Sequence, residues 1–506
     1  MIVQHLKIPR TVSIALLILL IAGTVSADPG KDEVLAAMKK AASYMVNDVS
    51  TGGGYLWTYS EDFTRRWGEA PARETQIWVQ GGTPDMGTCF LDLYRSTGDS
   101  FYLDCAKKAA NALVYGQHPL GGWHYFIDFD ITGLDEWYRR VFSNFKWGME
   151  EYRHYYGNCT FDDDSTAGPT RFLMTLYLEI LDPAYHTPLL KALDFILMSQ
   201  YPNGGWPQRY PLRYEFVHDG LPDYTSLYTF NDGVITGNID LLVQAWEKLG
   251  DRRYLDAARR GMDFLLISQG PEGQAAWSDQ HGMDLQPAWG RTHEPAGYMP
   301  RYTLANIAAL ERYYLVTGDR RYLAPIPAAL DWLEASKLET LEDGRLKLAR
   351  RYEIGSNLPL YHLRTDKVNS EGYGLWRLDH TPDESTSFVT VDMKRLRSDY
   401  DRVSALSPEE AVEHHRASIQ AVRRPRHADP ARVQELVTSL DSRGAWVEDV
   451  KVYDMDVNCV WPEGEKFDNY NRTVDDDHAS IIIRGVSTRS FISNMRLLAD
   501  YAAQVR

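Results

Sequence analysis

The sequence predicts an all-α protein, an α/α toroid of repeated helix pairs whose functional loops lie on one rim. Two observations lead to this fold. Apolar residues recur at three- and four-residue intervals, and a short turn recurs between the two helices of each pair. The turn contains an aspartate, at Asp99, Asp182, Asp251 and Asp319. Because aspartate is a good N-cap for the second helix of a pair, the chain repeats a unit of helix, turn, helix and long loop.

The two ends of the chain predict how this array closes. The stretch "DEVLAAMKKAASYMV" has the pattern of a second helix without a first, and "STRSFISNMRLLADYAAQ" has that of a first helix without a second. The stretches "SPEEAVEHHRASIQAV" and "DPARVQELVTSL" predict one further pair. If the two end helices pair with each other, the array closes into a ring, and otherwise it is an open solenoid.

The long loops share a glycine-tryptophan motif. It is clearest in "SQYPNGGWPQRYP", and looser copies place Trp57, Trp123 and Trp277. Because these copies follow second helices, the loops are predicted to emerge on one rim, around a cleft. The motif is either a structural turn, in which glycine supplies a positive φ, or one wall of a site, in which Trp206 is the predicted substrate contact.

Composition and charge narrow the class of protein. The 506 residues are 44 % hydrophobic and 25 % charged, as in soluble globular proteins. The formal net charge of −16 argues against nucleic acid as a partner and is compatible with carboxylates around calcium. Cys89, Cys105, Cys159 and Cys459 allow up to two disulfides, and their spacing selects no pairing.

The first residues have the features of a signal peptide. Residues 1–27 combine two basic residues, an apolar run and a small-residue cleavage site at Val25-Ser26-Ala27. This predicts a secreted or periplasmic protein that has no membrane attachment after cleavage and is monomeric. The rest is predicted to form the toroid over residues 28–377, with a helical extension over residues 378–506 that completes it.

Four polar stretches fall on the predicted rim and contain the candidate site residues. They are "TFDDDSTAGPTRFLM" with Asp162 and Asp163, "YTFNDGVITGNI" with Asn231 and Asp232, "WSDQHGMDLQPAWGRTHEP" with His281 and Arg291, and "LKLARRYEIGSNLPLYHLRTD" with Arg350, Tyr352 and Arg364. Helix capping explains one aspartate or asparagine at each helix start, but adjacent aspartates repel unless a cation or arginine compensates. Paired arginines in an acidic protein indicate an anion site.

In this order, the stretches resemble the family 10 polysaccharide lyases, which are pectate lyases with an α/α toroid fold. The resemblance covers roughly residues 32–377 and includes "YPNGGWPQRYPL". It implies that Asp162 and Asp232 hold Ca²⁺ and that Arg291 removes the C5 proton. It further implies that Arg350 and Arg364 bind uronate carboxylates, with Asp163 (where the family has Asn) and Asn231 as further substrate contacts. The chain departs from the family at Gly282, where the family usually has Asp, and at Gly290, where it has Ala.

The implied function is that of a secreted pectate lyase that cleaves polygalacturonate by calcium-assisted β-elimination to unsaturated oligogalacturonides. A calcium ion and arginines would neutralise the charge of the transition state. Arginine is an unusual base because its pKa lies above about 12. On chemical grounds alone, His281 or Tyr352 would be easier bases.

Three alternatives remain at the level of sequence. A glycoside hydrolase on the same fold would use a pair of carboxylic acids, and a non-catalytic protein could bind an acidic polysaccharide without cleaving it. A triterpene cyclase would need an Asp-x-Asp-Asp motif, which "FDDDST" lacks because Ser165 fills the last position. The acidic loop "FDNYNRTVDDDHAS" is either solvated or a second ion site.

Overall fold

The computed structural model describes residues 28–141, 157–212, 217–218, 221–290, 294–368, 374–384, 386–420, 425–453 and 480–505. The predicted signal peptide, Cys459, the acidic loop at 467–480 apart from the backbone of its last residue, and Arg291 lie outside these residues, and the side chain of Arg364 is not described either. In the described part of the chain, helices are too short or too polar to cross a membrane.

Helices dominate the described residues. They are α1 Lys31–Tyr44, α2 Thr83–Thr97, α3 Ser100–Tyr115, α4 Leu134–Val141, α5 Ala167–Ile180, α6 Pro183–Met198, α7 Val234–Leu249, α8 Arg252–Ile267, α9 Pro300–Thr317, α10 Ile326–Ala335, α11 Met393–Ser404, α12 Pro408–Gln420, α13 Pro430–Ser439 and α14 Thr488–Ala502. Single 3₁₀ turns occur at Asp162–Asp164, Tyr224–Ser226, Asn231–Gly233 and Arg320–Tyr322.

Short strands connect the helices. They are β1 Thr58–Ser60, β2 Arg66–Trp67, β3 Gln76–Trp78, β4 Phe126–Asp128, β5 Cys159–Thr160, β6 Arg209–Tyr210, β7 Val217–His218, β8 Leu221–Pro222, β9 Tyr228–Thr229, β10 Gln280–His281, β11 Glu339–Thr340, β12 Leu346–Ala349, β13 Tyr361–Val368, β14 Gly374–Asp379, β15 Phe388–Val391, β16 Glu448–Tyr453 and β17 Ser480–Ser487. They form small antiparallel sheets, of which β16-β17-β1-β2 joins the two ends of the chain.

The helix pairs follow the predicted repeat. Asp99, Asp182 and Asp251 cap α3, α6 and α8, because each carboxylate accepts a hydrogen bond from the backbone N–H two residues on. The fourth copy differs from the prediction. Asp319 caps only the 3₁₀ turn Arg320–Tyr322, and α10 begins after it at Ile326. Pro325 and Pro327 explain the break, since proline lacks the N–H that a continuous helix needs.

The helix pairs form an α/α toroid, as predicted, and the first helices of the pairs form its inner layer. Helix α2 packs on α5, α5 on α7, and α9 on α12, while Asp240 of α7 and Arg312 of α9 form an ion pair at 3.0 Å. Helix α14 packs against both α1 and α2. The end helices therefore pair with each other, and Tyr501 Oη donates a hydrogen bond to the Pro29 carbonyl at 3.1 Å.

Two features were missed at the level of sequence. Helix α11 was not predicted, although Met393, Leu396, Tyr400 and Val403 follow the spacing of a helix and pack against the core. The hairpins β13–β14 and β16–β17 were not predicted either, since the predicted all-α fold contains no strands. Cys89, Cys105 and Cys159 are buried free thiols, so no disulfide forms among these three.

The glycine-tryptophan loops run from the end of an outer helix to the start of an inner helix, and they therefore share one rim. Their tryptophans cap the outer helices from inside the core. Three of the indole N–H groups donate to a carbonyl near the end of the preceding helix, from Trp123 to Leu113, Trp206 to Ile196 and Trp277 to Leu265, whereas Trp57 donates to the Gln80 carbonyl. Trp446, in the further loop "LDSRGAWVED", donates to Leu436 in the same way as these three. The four helix-end carbonyls lie in the last turn of their helices, where no further backbone N–H of the helix reaches them. Serine hydroxyls also donate to three of them, from Ser199 to Ile196, Ser268 to Leu265 and Ser439 to Leu436.

The glutamine of the motif ties neighbouring outer helices together. Gln200 donates to the Gly204 and Ala257 carbonyls, both at 2.9 Å, and Gln117 and Gln269 make the corresponding pairs of bonds. Trp206 is 0 % exposed. The prediction that Trp206 contacts substrate is therefore wrong, because its ring is buried in the core and its indole N–H donates to the Ile196 carbonyl.

Gly204 gives a test of this structural role. Its φ is +102°, and a Cβ would lie 2.0 Å from the Arg260 carbonyl oxygen. Gly273 is a matched control, since its φ is +85° but nothing lies within 4 Å of its Cβ position. We expect Gly204→Ala to lower the free energy of unfolding by about 3 kcal/mol more than Gly273→Ala, as measured by urea denaturation. If both variants lost the same free energy of unfolding, the loop at Gly204 would have to be able to move away from α8.

Candidate functional site

Three successive inner helices begin after the same kind of turn. In each turn, one backbone N–H donates a hydrogen bond to a backbone carbonyl that lies two residues after the tryptophan of a glycine-tryptophan loop. The donor and acceptor residues are Val79 and Tyr125, Phe161 and Gln208, and Phe230 and Asp279. Two positions after the donors lie Gly81, Asp163 and Asp232, whose φ values are +61°, +46° and +53°. Aspartate tolerates this left-handed backbone better than most residues, so the second and third copies carry a carboxylate where the first has glycine.

These turns bring three carboxylates together. Asp162, Asp163 and Asp232 each offer an oxygen, and the three oxygens lie within 4.8 Å of one another. Asp232 comes from a different repeat, and its turn contacts that of the other two. Carboxylates this close repel one another unless a cation compensates. Because Ca²⁺ takes clustered oxygen ligands at about 2.3–2.6 Å, the cluster has a donor set that can hold a metal ion.

Asp162 is held by a buried network that originates in two glycine-tryptophan loops. The Tyr125 hydroxyl donates to its carboxylate, and Arg209 donates to the same hydroxyl at 2.9 Å. The Arg209 guanidinium also lies 4.9 Å from the centre of the Tyr125 ring, and Arg209 is 1 % exposed. Positive charge behind the hydroxyl polarises it toward the carboxylate, so the network stabilises ionised Asp162.

Asp163 is in a different electrostatic state. Gln80 donates to its carboxylate at 2.5 Å. Asp163 is exposed at its surface, but desolvation on the side of the cluster, together with the neighbouring Asp162 carboxylate, raises its pKa to about 7. Without a bound cation, this side chain therefore carries a proton for much of the time near neutral pH, which relieves the repulsion within the cluster.

Asn231 lies directly beside the cluster. Its side-chain amide donates to the Asp232 carboxylate at 2.5 Å. The residue is 5 % exposed, and its carbonyl oxygen Oδ1 is buried without a hydrogen-bond donor. An unsatisfied buried oxygen next to three carboxylates fits a cation, which needs oxygen ligands. A role in direct substrate binding stays a prediction.

The two adjacent arginines have separate roles. Arg351 is 7 % exposed and forms a bidentate ion pair with Asp279, with N–O distances of 3.1 and 2.6 Å. Arg350 is exposed, and its one hydrogen bond within the described chain goes to the Ser387 hydroxyl at 3.3 Å. Only Arg350 is therefore available to bind an anion. Arg364 lies in β13 next to Trp376 of β14.

Neither of the two alternative bases, His281 and Tyr352, is positioned to act on a substrate. His281 is 0 % exposed; its Nδ1 pairs with the Leu285 carbonyl at 2.9 Å, and its Nε2 accepts from the Ser278 N–H at 3.0 Å. Burial lowers the pKa of His281 to about 4. The Tyr352 hydroxyl donates to the Ser336 carbonyl and accepts from the Ala349 N–H, and burial raises the pKa of Tyr352 well above its usual range. Neither group can reach or deprotonate a substrate.

Several residues of the site were missed at the level of sequence. Gln80, Tyr125 and Arg209 contact the acidic cluster or its support, as described above. Arg301, an exposed residue of α9, lies near enough to Asp163 to oppose the rise of its pKa. An alignment of the repeats could have found Gln80, since "WVQGG" occupies the place of "TFDDD" and "TFNDG".

The raised pKa of Asp163 predicts how metal binding depends on pH. Calcium affinity should fall as pH falls through about 7, because the bound proton must leave before the carboxylate can ligate. Calorimetric titrations at about pH 6 and pH 8 would measure this fall and the released proton. Asp163→Asn should flatten the dependence. In the metal-free protein, stability should decrease as pH rises toward 7, since the folded state holds this proton more tightly than the unfolded state.

The acidic cluster lies within a match to a known family. The family model described as pectic acid lyase matches residues 132–345, which include all three aspartates of the cluster. This part of the chain is therefore similar to the pectic acid lyases. No curated protein matches the chain.

Solved structures are similar only at low identity. A family 10 polysaccharide lyase from Cellvibrio cellulosa is 18 % identical, over 66 % of this chain and 96 % of its own, with a TM-score of 0.38. A mutant of a family 10 lyase from the same organism, in complex with trigalacturonic acid, is 18 % identical over 66 % and 97 %, with a TM-score of 0.37. A D-mannose isomerase is 13 % identical over 95 % and 98 %, with a TM-score of 0.42.

Proposed function

We propose that the protein is a secreted, monomeric polysaccharide lyase that cleaves polygalacturonate by calcium-assisted β-elimination, releasing unsaturated oligogalacturonides. The observation that carries the proposal is the cluster of Asp162, Asp163 and Asp232, which lies at the helix rim within the segment that matches the pectic acid lyase family. A signal-peptide pattern at residues 1–27 supports secretion.

The chemistry explains why such a site would need a cation. β-Elimination takes the C5 proton of a uronate and breaks the bond between C4 and the glycosidic oxygen, which leaves a C4–C5 double bond. Negative charge develops on the uronate carboxylate as the proton leaves. A calcium ion bound at this site would supply electrostatic stabilisation of that charge. Asp162, Asp163 and Asp232 would hold the ion.

The remaining roles belong to arginines. Arg350 has an exposed guanidinium without a carboxylate partner among the described residues, so it is free to bind a uronate carboxylate in a bidentate way. Arg364 is proposed as a second such contact. Arg291 is proposed as the base, since the two easier candidates, His281 and Tyr352, are buried with their polar atoms engaged.

The test is the reaction itself. Purified protein is incubated with polygalacturonate, with added calcium or with a chelator, and both ultraviolet absorbance and reducing ends are followed. We expect calcium-dependent absorbance from the unsaturated product, in step with new reducing ends. Reducing ends without absorbance would identify a glycoside hydrolase, for which the acidic cluster would supply the carboxyl pair. Binding without either signal would identify a non-catalytic polysaccharide-binding protein.

A further inference from the structure

A second candidate site lies where the last helix meets the first repeat. A cavity of about 1100 Å³ runs along α14 and α2, and it extends to the loop at Arg426. It opens beside Trp57 and Gly81 at the loop rim and reaches Asp500 near the end of α14. The residues that line it lie outside the segment that matches the pectic acid lyase family.

One face of α14 presents polar side chains to this cavity. Arg489, Ser493 and Arg496 follow each other at intervals of four and three residues, are exposed, and all line the cavity. This spacing places them on a single side of the helix. The opposite side packs into the core through Phe491, Met495 and Leu498.

The cavity concentrates positive charge in a strongly acidic protein. Five of its lining residues are lysine or arginine and three are aspartate, whereas the whole chain has a formal net charge of −16. In the part of the chain that the structure describes, Arg426, Arg489 and Arg496 form no ion pair within 4.0 Å, although Arg496 lies near enough to Asp85 to oppose the rise of its pKa. Arg489 also lies in the first turn of α14, where the helix dipole favours anions.

The basic cavity adjoins the acidic cluster. Gly81 lines the cavity, and the preceding residue, Gln80, donates a hydrogen bond to Asp163. Trp57 lines the cavity as well, and its indole donates to the Gln80 carbonyl at 2.6 Å. An extended polyanion bound at the acidic cluster through a cation could therefore continue past Gly81 toward Arg489 and Arg496.

We propose that this cavity is an extended binding site for the acidic polysaccharide, in which Arg489 and Arg496 bind uronate carboxylates beyond the reacting sugar. The choice of a polyuronate as occupant rests on the proposed function. A polymer with one carboxylate per sugar matches unpaired guanidinium groups spaced along one helix face, and a neutral polysaccharide would leave them unpaired.

The experiment compares two double variants with the same change of charge. Arg489→Gln/Arg496→Gln alters the cavity. Arg252→Gln/Arg259→Gln alters two exposed arginines of the outer helix α8, which are also seven residues apart. Binding of polygalacturonate is measured by calorimetry in chelator, where the proposed reaction does not run, with a neutral glucan as a second probe. Thermal melts check that both variants fold.

We expect the cavity variant to bind polygalacturonate roughly tenfold more weakly at low salt, and the outer-helix variant to bind as the wild type does. The difference should shrink at about 1 M salt, where charges are screened within about 3 Å. With calcium present, KM should rise in the cavity variant while kcat at saturation stays unchanged. Equal affinities of the two variants would overturn the proposal.

Failure of the cavity and failure of the lyase assignment give different results. If wild-type protein makes unsaturated product and both double variants show the same KM, the cavity proposal fails and the proposed function stands. If no unsaturated product forms but binding of polygalacturonate still depends on Arg489 and Arg496, the proposed lyase reaction is wrong and the proposed binding site is supported.

Discussion

Replacing Asp232 by Asn should abolish calcium-dependent turnover while the protein stays folded. Asp232 has a φ of +53°, and asparagine accepts this backbone about as readily as aspartate, so the change removes one charge with little strain. We expect activity to fall by at least about two orders of magnitude. Calcium affinity should fall by more than the roughly 10- to 100-fold that loss of an outer-shell partner costs.

Asp164 provides the control for this prediction. It lies in the same turn as two residues of the cluster, has a φ of +61°, and its carboxylate pairs with Arg171 at 3.3 Å. Asp164→Asn therefore removes one charge nearby without removing a carboxylate from the cluster. Calcium calorimetry and thermal melts on both variants separate loss of the metal from loss of the fold. If Asp232→Asn kept wild-type calcium affinity, the metal site would have to be elsewhere.

The repeat explains why so much of the fold could be predicted from sequence. The turn aspartates and the apolar spacing recur along the chain, so errors at one copy are corrected by the others. Where the pattern is not repeated, prediction failed. Helix α11 shows helical spacing at Met393, Leu396, Tyr400 and Val403, but it follows none of the repeated aspartate turns. The hairpin β16–β17 is anchored by its pairing to β1 at the other end of the chain, a contact that local sequence does not contain.

The residues of the candidate site were likewise predicted only in part. The resemblance named Asp162, Asp163 and Asp232, and the structure brings them together. Their support could not be named, because Tyr125 and Arg209 meet Asp162 only after two separate loops pair with the helix-entry turn. Trp206 shows the opposite error. A tryptophan in a loop near a cleft indicates sugar binding, but its neighbours in space are the end of α6 and the core.

Replacing Arg291 by Lys should lower turnover far more than it lowers substrate affinity. The structure strengthens this prediction by elimination, since His281 and Tyr352 have their polar atoms engaged in the core. Lysine keeps the positive charge but loses the planar fork and its reach. If Arg291 is the base, kcat should fall by about two or more orders of magnitude, the usual contribution of a positioned base.

Arg350→Lys is the matched control, because Arg350 is the exposed arginine proposed to bind a uronate carboxylate and not to move a proton. It should mainly raise KM.

The pH profile gives an independent test. A base with a pKa above about 12 is active only in its small deprotonated fraction, which grows tenfold for each unit of pH. The wild-type rate should therefore keep rising into the alkaline range, and Arg291→Lys should change the shape of that rise. If Arg291→Lys instead raised KM and left kcat and its pH profile intact, Arg291 would be a carboxylate-binding residue like Arg350, and the base would have to be sought among other groups on the loop rim.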